Sequence, residues 1–130
     1  MGVKLIKVSA LYFVLGVSLG YYMSVAHAYH LTGVHAHVNL LGWTSMTLAG
    51  LIYILFPKAG SSMLGKIHFW LHNIGLPLMM VGLFLLLQGN SALEVLIPIG
   101  ATCVLVAVIL FAVNVLLNVK KEEVEARFQK

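Results

Sequence analysis

Charged residues are scarce in this chain: aspartate is absent, glutamate occurs four times, and Asp, Glu, Lys and Arg together make up 9% of 130 residues. A soluble domain normally has about a quarter of its residues charged. Since 61% of the residues are hydrophobic, too few ionic groups remain to solvate a globule of this size. The composition excludes a soluble enzyme and a nucleic-acid binder, and the length is enough for one domain.

Cysteine is also nearly missing, because Cys103 is the only one and it lies inside an apolar run. A single cysteine excludes an intramolecular disulfide and a metal site built from several thiolates. The net charge of +4 comes from a few basic residues outside the apolar runs, and it indicates membrane topology rather than polyanion binding.

Four apolar runs are each long enough to cross a hydrocarbon layer of about 30 Å, which takes about 20 helical residues. They cover about residues 8–28, 33–56, 66–88 and 94–119. Runs of this length and continuity do not fit barrel strands, so they predict helices. We predict an all-α integral membrane protein: a single domain over residues 1–130, with four antiparallel transmembrane helices and a tail at 120–130 that continues as a short solvated helix with a Glu123–Arg127 pair.

The basic residues fall in alternate connections. They occur at the N-terminus, in the second connection and in the tail: Lys4, Lys7, Lys58, Lys66, Lys120, Lys121, Arg127 and Lys130. Because positive residues favour the cytoplasmic side, this alternation predicts that both termini are cytoplasmic in an inner (plasma) membrane. The alternative is that the first run is a secretory signal cleaved near Ala26–Ala28. We favour four retained spans, since cleavage would leave three.

Six histidines are an unusual share of the polar residues, and ionisable groups at membrane depth are candidates for function. His35 and His37 on one helix point about 200° apart, so they cannot bind one small ion together. They can serve two pockets on opposite sides of the helix. Neutral imidazole is a common axial ligand of haem iron, so the pair is a candidate for holding haem b in the membrane.

The residues around this pair resemble part of a known family. His35-Ala-His37-Val-Asn-Leu-Leu-Gly-Trp43, then Tyr53 and Pro57 near the helix end, then Lys66-Ile-His68-Phe-Trp-Leu, are similar to two successive helices of the catalytic subunit of haem-copper oxidases. The resemblance is to the cbb-type oxidases and the nitric-oxide reductases, and it covers about 40 residues.

The resemblance implies that His35 binds an active-site haem and that His37 binds a low-spin haem, both toward the outer face. It implies no ligand role for His68. A family catalytic subunit has about twelve helices in three four-helix arcs, and this chain corresponds to one arc. The resemblance therefore implies a homo-oligomer, with a trimer favoured over a dimer, in which His35 and His37 of neighbouring subunits face one haem.

The chain departs from the family in lacking an obvious set of three histidines for the copper. We therefore do not predict oxygen reduction by a haem-copper centre, and we leave open whether the protein is an enzyme. Electron transfer with a redox partner and binding of a diatomic gas remain as predicted roles. We predict that four glycines allow close approach between subunits, or close packing against haem: Gly16, Gly20, Gly42 and Gly50.

Other polar residues support weaker predictions. Asn39 could orient a ligand or a haem propionate, Trp43 could cover a porphyrin, and interhelical hydrogen bonding is favoured for Asn39, Asn73 and Asn114. The alternative function is copper or zinc binding or transport through four further histidines: His27, His30, His68 and His72. For His68 and His72, near the inner end, we favour interfacial hydrogen bonding. A structural or assembly subunit is the third possibility.

Overall fold

The computed structural model describes the backbone of residues 1–128 and the side chains of residues 1–126. The described residues are helical apart from short connections, and they contain no strand. Four helices are long and apolar enough to cross a membrane, which confirms the predicted number. We call them spans one to four: Gly2–Ala26, Tyr29–Leu55, Met63–Leu87 and Leu96–Asn118.

The helices differ from the predicted apolar runs mainly at their starts. Span one begins at Gly2 rather than near residue 8, because Lys4 and Lys7 end the apolar run but do not break a helix. Span three begins at Met63 rather than at 66, because the Ser62 hydroxyl accepts a hydrogen bond from Gly65 N at 2.9 Å and so caps the helix.

Span two is not a uniform α-helix. It opens with a 3₁₀ turn at Tyr29–Leu31, is α-helical over Thr32–His37, becomes π-helical over Val38–Ser45 and returns to α-helix over Met46–Leu55. The span ends at Phe56, whose backbone (φ −122°, ψ 82°) has left the α-helical region, which the following proline disfavours. Pro57 then starts the short helix Pro57–Ser61.

Each span runs antiparallel to the next, as predicted, and the four form two hairpins. Spans one and two are in close contact along most of their length: Gly2 lies beside Gly50 at one end, and Gly20 lies beside His35 at the other. Spans three and four are in close contact in the same way, with Gly65 beside Asn114 at one end and Gly82 beside Ile97 at the other. The first and last spans are the less buried ones: 22% and 17% of their most apolar windows are buried, against 33% in spans two and three.

Gly16, Gly20, Gly42 and Gly50 pack against helices of the same chain, which corrects the prediction that they are close-approach points between subunits. A side chain at Gly16 would collide with Asn39, and one at Gly42 would collide with Tyr12. A side chain at Gly20 would likewise collide with His35 of span two, and one at Gly50 would collide with Ile6 of span one. Glycine on one helix allows the partner helix to approach closely, and here this holds the first hairpin together.

The outer surface of the bundle is apolar. Large hydrophobic side chains are exposed along all four spans, with Leu116 at 83%, Leu11 at 66% and Leu105 at 61%. Such a surface is suited to contact with the lipid bilayer.

At one end of the bundle, Glu123 of the terminal helix Lys121–Phe128 lies 3.6 Å from Lys58, while Gly2 lies beside span two. Both described ends of the chain are therefore at the same end of the bundle. The predicted pair Glu123–Arg127 involves a side chain outside those described.

Gly100 marks the closest approach of spans three and four and allows a test of this packing. A Cβ atom there would collide with Gly75 O and Met79 N. We expect Gly100→Ala to lower the free energy of unfolding by about 1–3 kcal/mol from overpacking, reduced by the better helix propensity of alanine, worth up to about 1 kcal/mol. Thermal unfolding in detergent, followed by circular dichroism, measures the change.

Gly33→Ala is the matched control, because the atom nearest to its Cβ would be Leu83 Cδ2 at 3.9 Å, an ordinary contact. Gly33→Ala should unfold at the wild-type temperature or above. An equal effect of the two substitutions would contradict this account of the hairpin.

Candidate functional site

His35 lies between span two and span one. Its side chain is half-buried, its Nδ1 is 3.0 Å from Gly16 O, and its ring packs against Gly20. A carbonyl oxygen can only accept, so Nδ1 carries the hydrogen and the lone pair is on Nε2. Asn39 Nδ2 lies 3.3 Å from the same Nδ1 and 2.8 Å from His35 O. Two donors cannot share a hydrogen bond, so the Asn39 amide donates to the carbonyl.

His37 occupies a different side of span two, as the 200° separation predicted. Its side chain is exposed, and Nδ1 donates to Gly33 O over 2.7 Å, one turn earlier. The lone pair therefore lies on Nε2, in an exposed ring. Trp43 turns instead toward span one, where its ring stacks on Phe13 with centroids 4.5 Å apart. Of the four residues predicted to bind haem, three thus contact the first span, and His37 is separate from them.

His27 and His30 lie exposed at the connection between spans one and two. His27 ends span one in the left-handed conformation, with φ 53°. His30 Nε2 is 2.8 Å from Gln88 Oε1, which links this connection to the end of span three. In the described part of the chain, no group of three or more His, Cys, Asp or Glu side chains is placed to hold a metal ion.

His68 and His72 are buried inside the bundle, with 2% and 1% of their surface exposed. We predicted hydrogen bonds at the membrane interface for these two histidines, and this is wrong: their hydrogen bonds lie inside the bundle. One turn apart on span three, they face a phenol and a backbone carbonyl of span two, which supply the hydrogen bonds that water would supply at an interface. Their rings are perpendicular, with centroids 5.5 Å apart.

Tyr53 connects His68 to span four. Its hydroxyl lies 2.9 Å from His68 Nδ1 and 3.4 Å from Asn114 Nδ2. An amide NH₂ can only donate, so Tyr53 accepts from Asn114 and its own hydrogen is available to His68 Nδ1. With Nδ1 accepting, neutral His68 carries its hydrogen on Nε2.

Asn114 is fully buried and completes the junction of the spans. Its amide also donates to Ala59 O at 2.9 Å, and its Oδ1 accepts from Asn118 Nδ2 at 2.8 Å. Ser62 Oγ lies 2.9 Å from the same Oδ1. The prediction of interhelical hydrogen bonding is confirmed for Asn114. It is wrong for Asn39 and Asn73, whose amides donate to His35 O and Phe69 O of their own spans.

His72 is held from the π-helical segment of span two. Its Nε2 donates to Leu41 O over 3.0 Å, which leaves the lone pair on Nδ1. That Nδ1 is buried and has no hydrogen-bond partner among the described residues. An unpaired buried acceptor is costly, and such groups often occur at functional sites.

A cavity of about 180 Å³ lies beside the two imidazoles, between spans two, three and four. Its walls are mostly carbon, and they come from seven residues: Ser45, Leu48, Ala49, His68, His72, Val108 and Phe111. The i,i+4 spacing of the two histidines was visible in the sequence. What it could not show is that Tyr53, Leu41 and Asn114, on other helices, surround them.

No family model, curated protein or solved structure matches this chain.

The Tyr53 hydroxyl should contribute measurably to the stability of the bundle. Tyr53→Phe removes the donor to His68 Nδ1 and one acceptor of Asn114, and leaving buried groups unpaired costs about 1–3 kcal/mol. We expect a corresponding fall in the free energy of unfolding in detergent. Tyr21→Phe is the control, because Tyr21 is 74% exposed. Equal stability of the two variants would show that the Tyr53–His68 hydrogen bond contributes nothing.

Proposed function

We propose that this chain is a b-type haem protein of a cell inner membrane, in which identical subunits bind haem through histidines of span two. The observation that carries the proposal is the state of His37. Its ring is exposed on the surface of the bundle, its Nδ1 is bonded to Gly33 O, and its Nε2 has a free lone pair.

This arrangement fits an axial ligand of haem iron. A metal-binding imidazole usually donates its second nitrogen to a carbonyl or carboxylate, which fixes the tautomer and the orientation of the ring. Gly33 O supplies that partner. Leu40, one turn further along span two, is 61% exposed and gives the surface near His37 the apolar character that a porphyrin face requires.

The second axial ligand has to come from elsewhere, because His35 and His37 lie on different sides of one helix. His35 Nε2 makes no hydrogen bond to the described residues, and the ring is only half-buried. We therefore assign His35 of a neighbouring copy to the opposite face of the haem. Trp43, stacked on Phe13 and half-buried, would contribute an aromatic wall, while Asn39 holds the backbone of His35.

When bound, the haem would supply one-electron transfer or the binding of a diatomic gas. The residues of this chain hold it, orient its imidazoles and surround it with an apolar surface. The positions of Lys and Arg favour cytoplasmic termini, and the described ends of the chain, at Gly2 and at Glu123, lie at the same end of the bundle.

Substitution of His37 tests the proposal directly. Protein purified in detergent from haem-replete cells should give a pyridine haemochrome of haem b. His37→Ala should lose at least half of that haem or change from a six-coordinate to a five-coordinate spectrum, because one axial ligand is gone. His35→Ala should have a similar effect.

His30→Ala is the matched control, since His30 is also exposed but is bonded to Gln88. Its haem content should equal that of the wild type. A colourless wild-type protein contradicts the proposal, and copper or zinc without iron in elemental analysis would support the alternative of a metal-transport protein.

Ligands from two copies make assembly dependent on haem. A ligand that binds only the associated state stabilises that state by mass action. We expect a homo-oligomer, most simply a trimer, that dissociates more readily when the protein is produced without haem. Native mass spectrometry measures the subunit number, and a haem-loaded monomer would disprove ligation between subunits.

A further inference from the structure

The cavity beside His68 and His72 has the composition of a ligand site. It lies within the membrane-spanning part of the bundle, and apart from the two imidazoles and Ser45 its walls are apolar side chains. Leu48 and Val108, two of its lining residues, are 56% and 42% exposed. The cavity therefore borders the apolar outer surface, and a ligand would reach it from the lipid.

The two imidazoles that line the cavity carry one free donor and one free acceptor. His72 Nδ1 is a buried acceptor without a partner, because His72 Nε2 donates to Leu41 O. His68 Nε2 is a donor, because its Nδ1 accepts from Tyr53. A hydroxyl group can accept from one imidazole and donate to the other, so its chemistry matches both nitrogens at once.

Water alone and a metal ion fit less well. A water needs about 10–15 Å³ of such a cavity, and this one has about 180 Å³, most of it lined by carbon. A metal would need lone pairs on both imidazoles, whereas the hydrogen-bond directions place a hydrogen on His68 Nε2. The lining residues also include no carboxylate or thiol.

We propose that this cavity binds the ring of a lipid-soluble hydroquinone, with one hydroxyl between His68 Nε2 and His72 Nδ1. A mostly apolar cavity with a few convergent polar groups is typical of small-molecule sites. The flat ring fits beside Phe111, whose ring centroid is 5.0 Å from that of His68. A phenolic hydroxyl is a stronger donor than an aliphatic alcohol, and the lipid-facing position selects an apolar carrier.

The site does not depend on the proposed haem. None of its lining residues is a proposed iron ligand, and its hydrogen bonds involve spans two, three and four rather than the His37 surface. The two proposals can therefore fail separately. His37→Ala should bind the hydroquinone as the wild type does.

The test measures binding of decyl-benzohydroquinone to the full chain in nanodiscs under anaerobic conditions, by sedimentation, extraction and chromatography, with empty nanodiscs as background. We expect saturable binding of one molecule per subunit. Its dimethyl ether, which has no hydroxyl to donate to His72, should bind at least tenfold more weakly to the same wild-type protein.

Val108→Phe should weaken binding at least tenfold, since it fills the cavity and keeps both imidazoles. Leu105→Phe is the matched control: it lies on the same helix, is 61% exposed and does not line the cavity. Its binding should equal that of the wild type.

Three results would overturn the proposal: no saturable binding above empty nanodiscs, equal binding of the dimethyl ether, or wild-type binding by a folded Val108→Phe. The first would leave the cavity to water or lipid. The second would show a purely apolar site. The ether comparison uses wild-type protein and stays decisive if Val108→Phe does not fold.

Discussion

The hydrogen bond between Tyr53 and His68 joins the two hairpins at a cluster of buried polar groups. In a membrane there is no water to pair a buried imidazole or amide, so each one needs a protein partner. Tyr53 on span two supplies a donor to span three and an acceptor to Asn114 on span four. Glycine contacts hold each hairpin together, whereas this polar junction fixes how one hairpin meets the other.

The sequence was sufficient for the number of long apolar helices, because runs of about 20 apolar residues are a local signal. The separation of His35 and His37 also followed from helix geometry. The burial of His68 and His72 did not. In a helix apolar on every side, periodicity does not show which face turns inward, so the inward face becomes known only through residues such as Tyr53 and Leu41 on other helices. For the same reason Gly16 and Gly20 were assigned to subunit contacts, although Asn39 and His35 of the same chain occupy that space.

The histidines divide into a surface set and an interior set. His37 presents a free nitrogen at the surface, where only another molecule can use it, whereas His68 and His72 have defined tautomers inside the bundle because Tyr53 and Leu41 O fix them. Fixed tautomers give a site a definite pattern of donors and acceptors. Both proposed sites thus use histidine, but for different purposes. The imidazoles of the haem site would bind iron, and those of the hydroquinone site would bind a hydroxyl group.

The π-helical segment Val38–Ser45 has a consequence for comparing this chain with others. Each residue that such a bulge inserts rotates the rest of the helix by roughly 100° relative to a regular α-helix. His35 and His37 precede the segment, and Tyr53 follows it. A homologue that is shorter by one residue there and regularly α-helical would keep its tyrosine facing span three, whereas one of equal length without the π-helical segment would turn it away. A one-residue alignment gap inside the segment is therefore compatible with the same junction at Tyr53, and an ungapped alignment to a regular helix is not.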